Sequence, residues 1–585
     1  MKEKGPMLNT MPGRSLLFNL RVEYDANVHD SRTLGKVCHD GGIAVLAKGC
    51  GLEIVSVPSN ERLAAATFAT DETEMEITCL LPFSNDPASV APSHVLVGID
   101  STLQGLLVVF DIQECRVVRC LGLPNRIASL ALVSASGGPS IPPYLHPSLL
   151  YYHGIVACGL QEGHLFLLDL ALDMQGEGIE STVEKPAGLY FISPGSRDPA
   201  RLRTKAAGEG THLTLDIAPF ARGQQFVWDD VSFPLDAVQV TALHFAPQLA
   251  SLAMGFNTGT WALISLVTLA PDYTSPFAPD TAPVTQLCWQ EPLDDPRNYC
   301  YYWVVRGDGR TPAVASLYGL GYQDRQWDPV AGPLYSRLDT VTLRWIHVLG
   351  DPSDEEQNST YGSQVVAITA LELPLGDRQE VSDMDQQQMD LGLVLMAWSV
   401  QGTILLGVFD INCWYQDQMP SSCEPDTLCP YFSISALPLD ASSELLDLAV
   451  HTSTIAKFGS AGSMIEQHFQ PSSLRFSLTA LLPTGWLEAS HLGLQRKVLA
   501  ELGRPGSLVN PTHLYQFCIH AGLCSGPFDP SLLSQRRALL SVLLEHSMVG
   551  SIVAAAREWS DGSLVKAGCT LRSVLQKIFE IFTQT

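Results

Sequence analysis

The chain has 585 residues, 46% of them apolar and 16% charged, a globular composition that excludes disorder over most of its length. Its formal charge of −26 is unevenly placed: residues 1–490 hold 26 basic against 55 acidic side chains, and residues 491–585 hold 9 against 6. An acidic body repels phosphate backbones, so residues 1–490 are not expected to be a general DNA binder.

The opening segment MKEKGPMLNTMPGR has no apolar core of the kind a signal peptide carries. From about residue 43 to 490 the recurring unit is an apolar run of strand length, a turn, and a second apolar run. HVLVGIDSTLQGLLVVFDI (94–112), GIVACGLQEGHLFLLDL (154–170), LASLAMGFNTGTWALISLVTL (249–269) and LVLMAWSVQGTILLGVFDI (393–411) are four such hairpins. Near-continuous apolarity predicts strands covered on both faces. The segment 391–409 is long enough to suggest a membrane span, but Gln401-Gly402-Thr403 divides it into two strands, so no span is expected. An Asp closes the second run at Asp111, Asp169 and Asp410, a repeat that points to propeller blades rather than a sandwich. Spacing leaves six, seven or eight blades open. Seven over about 450 residues would average about 64 each, against the usual roughly 40–50, so loops must be elaborated. The expected insertions are 172–211, 271–282, 350–363, 374–390 and 412–442, all rich in turn formers or acids.

After residue 490 the period changes. PTHLYQFCIHAGL (511–523), DPSLLSQRRALLSVLLEHSMVGSIVAAAREW (529–559) and LRSVLQKIFEIF (571–582) read as amphipathic helices. Asp529 is the expected N-cap, and Leu532, Leu533, Leu539, Leu540, Leu543 and Leu544 the expected apolar stripe. The predicted organisation is a β domain over 1–490 and a helical segment, the start of a helical domain, over 491–585.

No motif for catalysis, cofactor or metal emerges, so no enzyme, cofactor, metal site or small-molecule substrate is expected. Gly319-Leu320-Gly321 lacks a third glycine and opens no helix, and there is no GxSxG or HExxH. The fourteen cysteines contain no CxxC; Cys413, Cys423 and Cys429 are too widely spaced for a zinc site. Cys79, Cys158 and Cys288 lie in apolar runs and read as structural thiols in a reducing compartment. The acidic clusters at Asp229-Asp230, Asp294-Asp295 and Asp354-Glu355-Glu356 read as solvated loop faces. GSRDPARLRTK (195–205) reads as a surface loop.

Polar stretches studded with aromatics are the remaining signal. In EPLDDPRNYCYYW (291–303) a turn at Asp295-Pro296-Arg297-Asn298 leads into Tyr299, Tyr301 and Trp303, alternating on a strand. In LGVFDINCWYQDQMPSS (406–422) a strand ends at Asp410, and Trp414 and Tyr415 follow among polar residues. Such aromatics either pack between blades or form a rim that docks a partner, because Trp, Tyr and Arg dominate interface energies. The candidate partner-binding residues are Asp294, Asp295, Pro296, Arg297, Asn298, Asn412, Trp414, Tyr415, Gln418, Met419 and Pro420.

These two stretches, with LHPSLLYYHGIVACGLQEGHLFLLDLALD (145–173) and PSLLSQRRALLSVLLEHSMVGSIVAAAREW (530–559), closely resemble the ELYS nucleoporin family, in the same order along the chain. The resemblance implies a mainly β protein, a seven-bladed β-propeller followed by a short α-helical, solenoid-like segment. It implies a non-enzymatic scaffold of nuclear pore assembly that docks on nucleoporins of the Y-shaped subcomplex. Its implied location is the nuclear envelope and, in mitosis, chromosomes or kinetochores. The alternative is a propeller adaptor of another assembly. Family members contact chromatin largely through a basic tail with an AT-hook. No such motif lies in this sequence, so chromatin binding is not expected of this polypeptide.

Overall fold

The computed structural model describes residues 18–22, 33–38, 41–70, 75–85, 91–137, 142–170, 214–350, 361–373, 391–417, 431–437, 444–458, 471–525 and 531–560, less 102–103, 280, 294, 296, 329–331, 505 and 509–510, plus four short strands between 179 and 206.

The first strand is β1 (Phe18–Val22). A meander follows of β2 (Thr33–Cys38), β3 (Ile43–Lys48), β4 (Gly51–Ser56) and β5 (Glu61–Thr70). The second comprises β6 (Met75–Phe83), β7 (His94–Ser101), β8 (Gln104–Asp111) and β9 (Arg116–Leu123). The third opens with β10 (Ile127–Gly137), β11 (His153–Leu160) and β12 (Leu165–Asp169). Short strands β13 (Ile179–Ser181), β14 (Leu189–Ile192), β15 (Ala200–Leu202) and β16 (Lys205–Ala206) intervene before its fourth strand, β17 (Thr214–Ile217). A small sheet of β18 (Ala221–Arg222), β19 (Gln225–Trp228) and β20 (Val231–Pro234) precedes the fourth meander. That meander is β21 (Val240–Ala246), β22 (Ser251–Phe256), β23 (Trp261–Ser265) and β24 (Pro271–Thr274). The fifth is β25 (Val284–Gln290), β26 (Tyr299–Arg306), β27 (Ala313–Asp328) and β28 (Gly332–Leu349). The sixth is β29 (Ser363–Leu373), β30 (Leu391–Val400), β31 (Thr403–Asp410) and β32 (Phe432–Leu437). The last sheet has the order β1-β35-β34-β33, where β33 is Asp447–Ala456, β34 Arg475–Leu482 and β35 Gly485–His491.

All four hairpins expected from sequence are present as β7–β8, β11–β12, β22–β23 and β30–β31. Their turns follow from local chemistry. Gln401-Gly402 and Glu162-Gly163 both hold positive φ, the geometry that matches strand twist in a two-residue hairpin. Meanders are buried on both faces where the neighbours on either side supply side chains. Val45 and Ile54 of one sheet pack with Val97 and Phe110 of the next, and Tyr302 joins Trp261 on one side while Trp303 joins Phe409 on the other. Leu481 and Trp486 of the last sheet pack on Ala44 and Leu46 of the first. Each such fully buried side chain contributes roughly 1.5–3 kcal/mol.

The recurring aspartate has a physical role. Asp111 Oδ1 accepts from the N–H groups of Gln113 and Glu114 (2.9 and 3.0 Å), and Asp410 Oδ1 from those of Asn412 and Cys413 (3.0 and 3.3 Å). Ser265 does the same for Val267 and Thr268. Asp169 accepts from His153 N at 2.7 Å across the hairpin.

Several expectations change. The span 271–282 contains the outer strand β24, and 412–442 contains β32 and all but the first residue of the helix α1 (Ile411–Asp417). Within 172–211 lie β13 to β16, so GSRDPARLRTK is partly strand: β15 pairs with β13 and β14, and β16 runs parallel to β9. The expected insertion 374–390, most of 350–363 and the acids at 354–356 lie outside the described residues.

By contact density the chain divides into two units. The first is Met1–Met11, Leu20–Ser453 and Leu478–Ala489; the second is Pro12–Asn19, Thr454–Ser477 and Ser490–Thr585. Within the second, α2 (Leu494–Leu502), α3 (Pro511–His520), α4 (Leu532–Glu545) and α5 (Val549–Ser560) follow one another. Gln495 Nε2 donates to Ser473 Oγ (2.7 Å) and Ala521 O (3.2 Å), and Arg536 Nε to Leu508 O (3.0 Å). The N-cap of α4 is Ser531, whose Oγ accepts from Ser534 N; Asp529 and residues 571–582 lie outside the described residues. Leu539, Leu540 and Leu543 are buried, but Leu532 and Leu533 are exposed, so the buried stripe begins a turn later than periodicity suggested.

Candidate partner interface

Antiparallel order puts the first-to-second and third-to-fourth connections of every meander at one end of its sheet. In a propeller, whose first strands run alike around the centre, these connections share one face. Both candidate stretches are on it: 291–298 joins β25 to β26, and α1 leads from β31 towards β32.

The turn after β25 is held from three directions. Asp295, 3% exposed, accepts through Oδ1 from Arg297 N (2.9 Å) and Nε (3.0 Å), and through Oδ2 from Arg297 Nη2 (3.1 Å) and Tyr415 OH (3.0 Å). The Tyr415 and Tyr301 hydroxyls lie 2.6 Å apart. Asn412 Oδ1 accepts from Leu293 N at 3.0 Å, and Gln290 Nε2 donates to Gly392 O at 2.8 Å. The turn and the following sheet are therefore stitched together. From the other side, Arg325 of β27 donates to Asp295 O and to Glu291 Oε1 (3.3 and 2.9 Å), and Tyr335 of β28 donates to Glu291. Asn298 Nδ2 donates to Gln323 O at 3.0 Å, while Asp295 Oδ1 accepts from the Arg297 N–H within the turn itself.

Electrostatics follow this packing. Burial, with Tyr301 and Asp295 beside it, pushes the Tyr415 phenol far above its ordinary value; burial does the same for Tyr301. The hydrogen bonds to Asp295 push the Arg297 guanidinium up. All three stay in their neutral-pH states.

The structure sorts the candidates. Trp414 is 1% exposed, packed edge-on to Tyr301 and Tyr415, and Asn412 and Asp295 are also buried. These three build the site and cannot themselves meet a partner in this conformation, since helix α1 turns the indole inward where a rim aromatic was one of the two readings. Tyr415 is half-buried, Asn298 half-buried and Arg297 exposed, its guanidinium 5.3 Å from the Tyr299 ring. Asp294, Pro296, Gln418, Met419 and Pro420 lie outside the described residues.

Sequence reasoning missed Trp327. The ladder of β27 with β28 continues to Asp328↔Gly332, whereas β26 pairs with β27 only as far as Tyr299↔Gly321. The remainder is a two-stranded ribbon past the sheet, with Trp327 near its tip, 76% exposed. Tyr151, Val267 and Leu293 are exposed on the same set of connections. The signal existed: DRQWDP sets a tryptophan among polar residues as NCWYQD does.

A cavity of about 280 Å³ opens where β2, β25, β29 and β33 converge, lined mainly by apolar side chains. Its carboxylate, Asp447, already accepts from Val37 N (2.9 Å) and Lys36 Nζ (3.3 Å). Among the described residues no cluster of three metal-ligating side chains occurs, and no helix is long and apolar enough to cross a membrane.

Comparison with known proteins places this architecture. The family model for the β-propeller of ELYS nucleoporin matches residues 15–488. Protein ELYS of Homo sapiens is 28% identical over 569 residues, covering 92% of this chain and 24% of its own length. Protein ELYS of Xenopus laevis is 26% identical, covering 93% and 23%. The chain thus spans about a quarter of the length of the curated relatives it matches. Among solved structures, the Chaetomium thermophilum Nup170 N-terminal domain–Nup53 complex aligns at TM-score 0.43 and 11% identity, over 95% of this chain and 70% of that one. The Myceliophteria thermophila Cps50 (Swd1) propeller aligns at 0.40 and 12%, over 81% and 98%. With its hairpins, sheet order and matched span in agreement, the chain belongs to the ELYS nucleoporin β-propeller family.

Proposed function

We propose that the chain is a non-enzymatic nucleoporin scaffold that docks at the nuclear pore, on the Y-shaped nucleoporin subcomplex, during pore assembly. Family membership supports the nucleoporin character. The observation that carries the docking reading is the placement of exposed Trp327, Tyr151, Leu293 and Arg297 on one face, with the turn that bears Leu293 and Arg297 held by a buried network. A preorganised turn suits an anchor, because little entropy is lost when the partner arrives. Seven blades, one per meander, are proposed, with β1 closing the ring onto β35. The site proposed from sequence is kept with a division of labour: Asp295, Asn412 and Trp414 position it, and Arg297, Asn298, Tyr415 and the neighbouring residues 294, 296 and 418–420 belong to the docking surface. Nuclear-envelope localisation follows from this reading.

Binding of the purified 1–585 chain to reconstituted Y-shaped subcomplex, followed by biolayer interferometry, tests this. Saturable binding that Trp327→Ala/Leu293→Ala weakens at least tenfold is the expected result. Absence of binding by a folded chain would sink the proposal.

A further inference from the structure

We propose that the outer edge of β28 is a second docking site, which takes an extended, apolar strand of a partner protein by β-strand addition. It is independent of the face described above, and a chain without a pore role would retain it.

The outermost strands of this protein are treated unequally. β17 and β24 have four residues each, β1 five and β32 six, so they expose little edge. The longer β5 and β9 are covered in part by the chain itself: Leu189–Ile192 pairs antiparallel with Thr67–Thr70, and Lys205–Ala206 parallel with Leu121–Gly122. β28, at 18 residues, is the longest strand and ends its sheet, with no strand among the described residues beyond it. Proteins cover or interrupt such edges because a row of open N–H and C=O groups recruits another strand.

The side chains agree. Trp345 pairs with Leu317 and Leu343 with Tyr318, so Arg344 is an extra residue, a bulge that reverses the alternation. Leu343, Ile346 and Val348 therefore share one side, each about half exposed, while Trp345 and Leu349 are buried on the other. Without the bulge Leu343 would point with Trp345. Between Thr340 and Leu349 the single formal charge is Arg344, in a protein of net charge −26. A strand with apolar residues at alternate positions fits this edge. The strand Leu-Tyr-Phe-Ile at 189–192, already added to β5, shows the apolar type of segment this fold accepts at an outer edge. A second copy fits less well, since two bodies of charge −26 repel.

The test pans displayed random 12-residue peptides against the 1–585 chain, with counter-selection on Leu343→Thr/Ile346→Thr/Val348→Thr, which keeps strand propensity and removes the apolar strip. Enriched peptides should alternate apolar residues, bind the triple variant at least tenfold more weakly, and slow amide exchange across 340–349. If the triple variant does not melt like the parent, Ile346→Glu/Val348→Glu replaces it. Failure to enrich any peptide that distinguishes parent from variant overturns the proposal. So does a chain dimer that the variant dissociates, which would assign the edge to a second copy.

Discussion

Trp414 and Trp327 occupy similar sequence and opposite environments. Each comes after an apolar stretch of sequence and is flanked by Gln, Asp, Asn or Arg, yet one is 1% and the other 76% exposed. The difference lies in what the neighbouring elements supply. Asp410 caps α1 and turns Trp414 into a pocket of Tyr301, Phe409 and Tyr415, so a neighbouring sheet covers it. The ribbon beyond Gly321 has left the third strand's other neighbour, β26, behind, and Trp327 near its tip has no sheet to cover it. One aromatic is core and the other is surface.

Breaking this contrast should produce effects in a definite order. Trp414→Ala should cost about 3–5 kcal/mol, the usual loss for a large buried aromatic, seen as a lowered melting temperature in differential scanning fluorimetry. Acid should come next. Burial lowers the His244 and His347 imidazoles to about 4, so both are neutral in the fold, whereas the unfolded chain takes up their protons near pH 6.5. Their contribution is complete above that pH and is lost as pH falls towards 4. The unfolding free energy from urea titrations should decline over this window, by up to about 1.4 kcal/mol per pH unit for each histidine, and His244→Gln should flatten the curve.

Asp295→Asn should cost about 1–3 kcal/mol by leaving Arg297 and Tyr415 poorly matched, and chemical denaturation would measure it. Tyr415→Phe removes one hydroxyl from the same cluster and should cost about 1 kcal/mol. It should also change alkaline behaviour. Because the fold raises the Tyr415 and Tyr301 phenols, their contribution is present below about pH 10 and lost above it, and the Phe variant should lose less. Trp327→Ala should be smallest for the fold, within about 0.5 kcal/mol, yet weaken partner binding by about 2–4 kcal/mol. A Trp327→Ala protein that melts far below the parent would erase the contrast.

Much of the architecture was legible because the hairpins carry their own signals: apolar runs of strand length, turns such as Gln401-Gly402, and Asp111 and Asp410 bonding the N–H groups two and three residues on. The site was legible in part. The Asp295 turn and the inward alternation of Tyr301 and Trp303 follow from period and turn chemistry, as observed. Burial of Trp414 was not, because it depends on Tyr301, more than a hundred residues away, and on a helix as short as seven residues. The strands inside 172–211 were missed because β14 and β16 add to sheets whose other strands lie far earlier in the chain. The N-cap of α4 shifted from Asp529 to Ser531, a two-residue error of the kind helix starts invite.

The most direct measurement is localisation of a fluorescently tagged 1–585 chain through interphase and mitotic exit, parent beside Trp327→Ala/Leu293→Ala, with both melting alike. The account predicts a nuclear-rim signal for the parent that the double variant loses. A rim signal retained in full by the variant, or a diffuse signal from the folded parent, would contradict docking of this face at the pore.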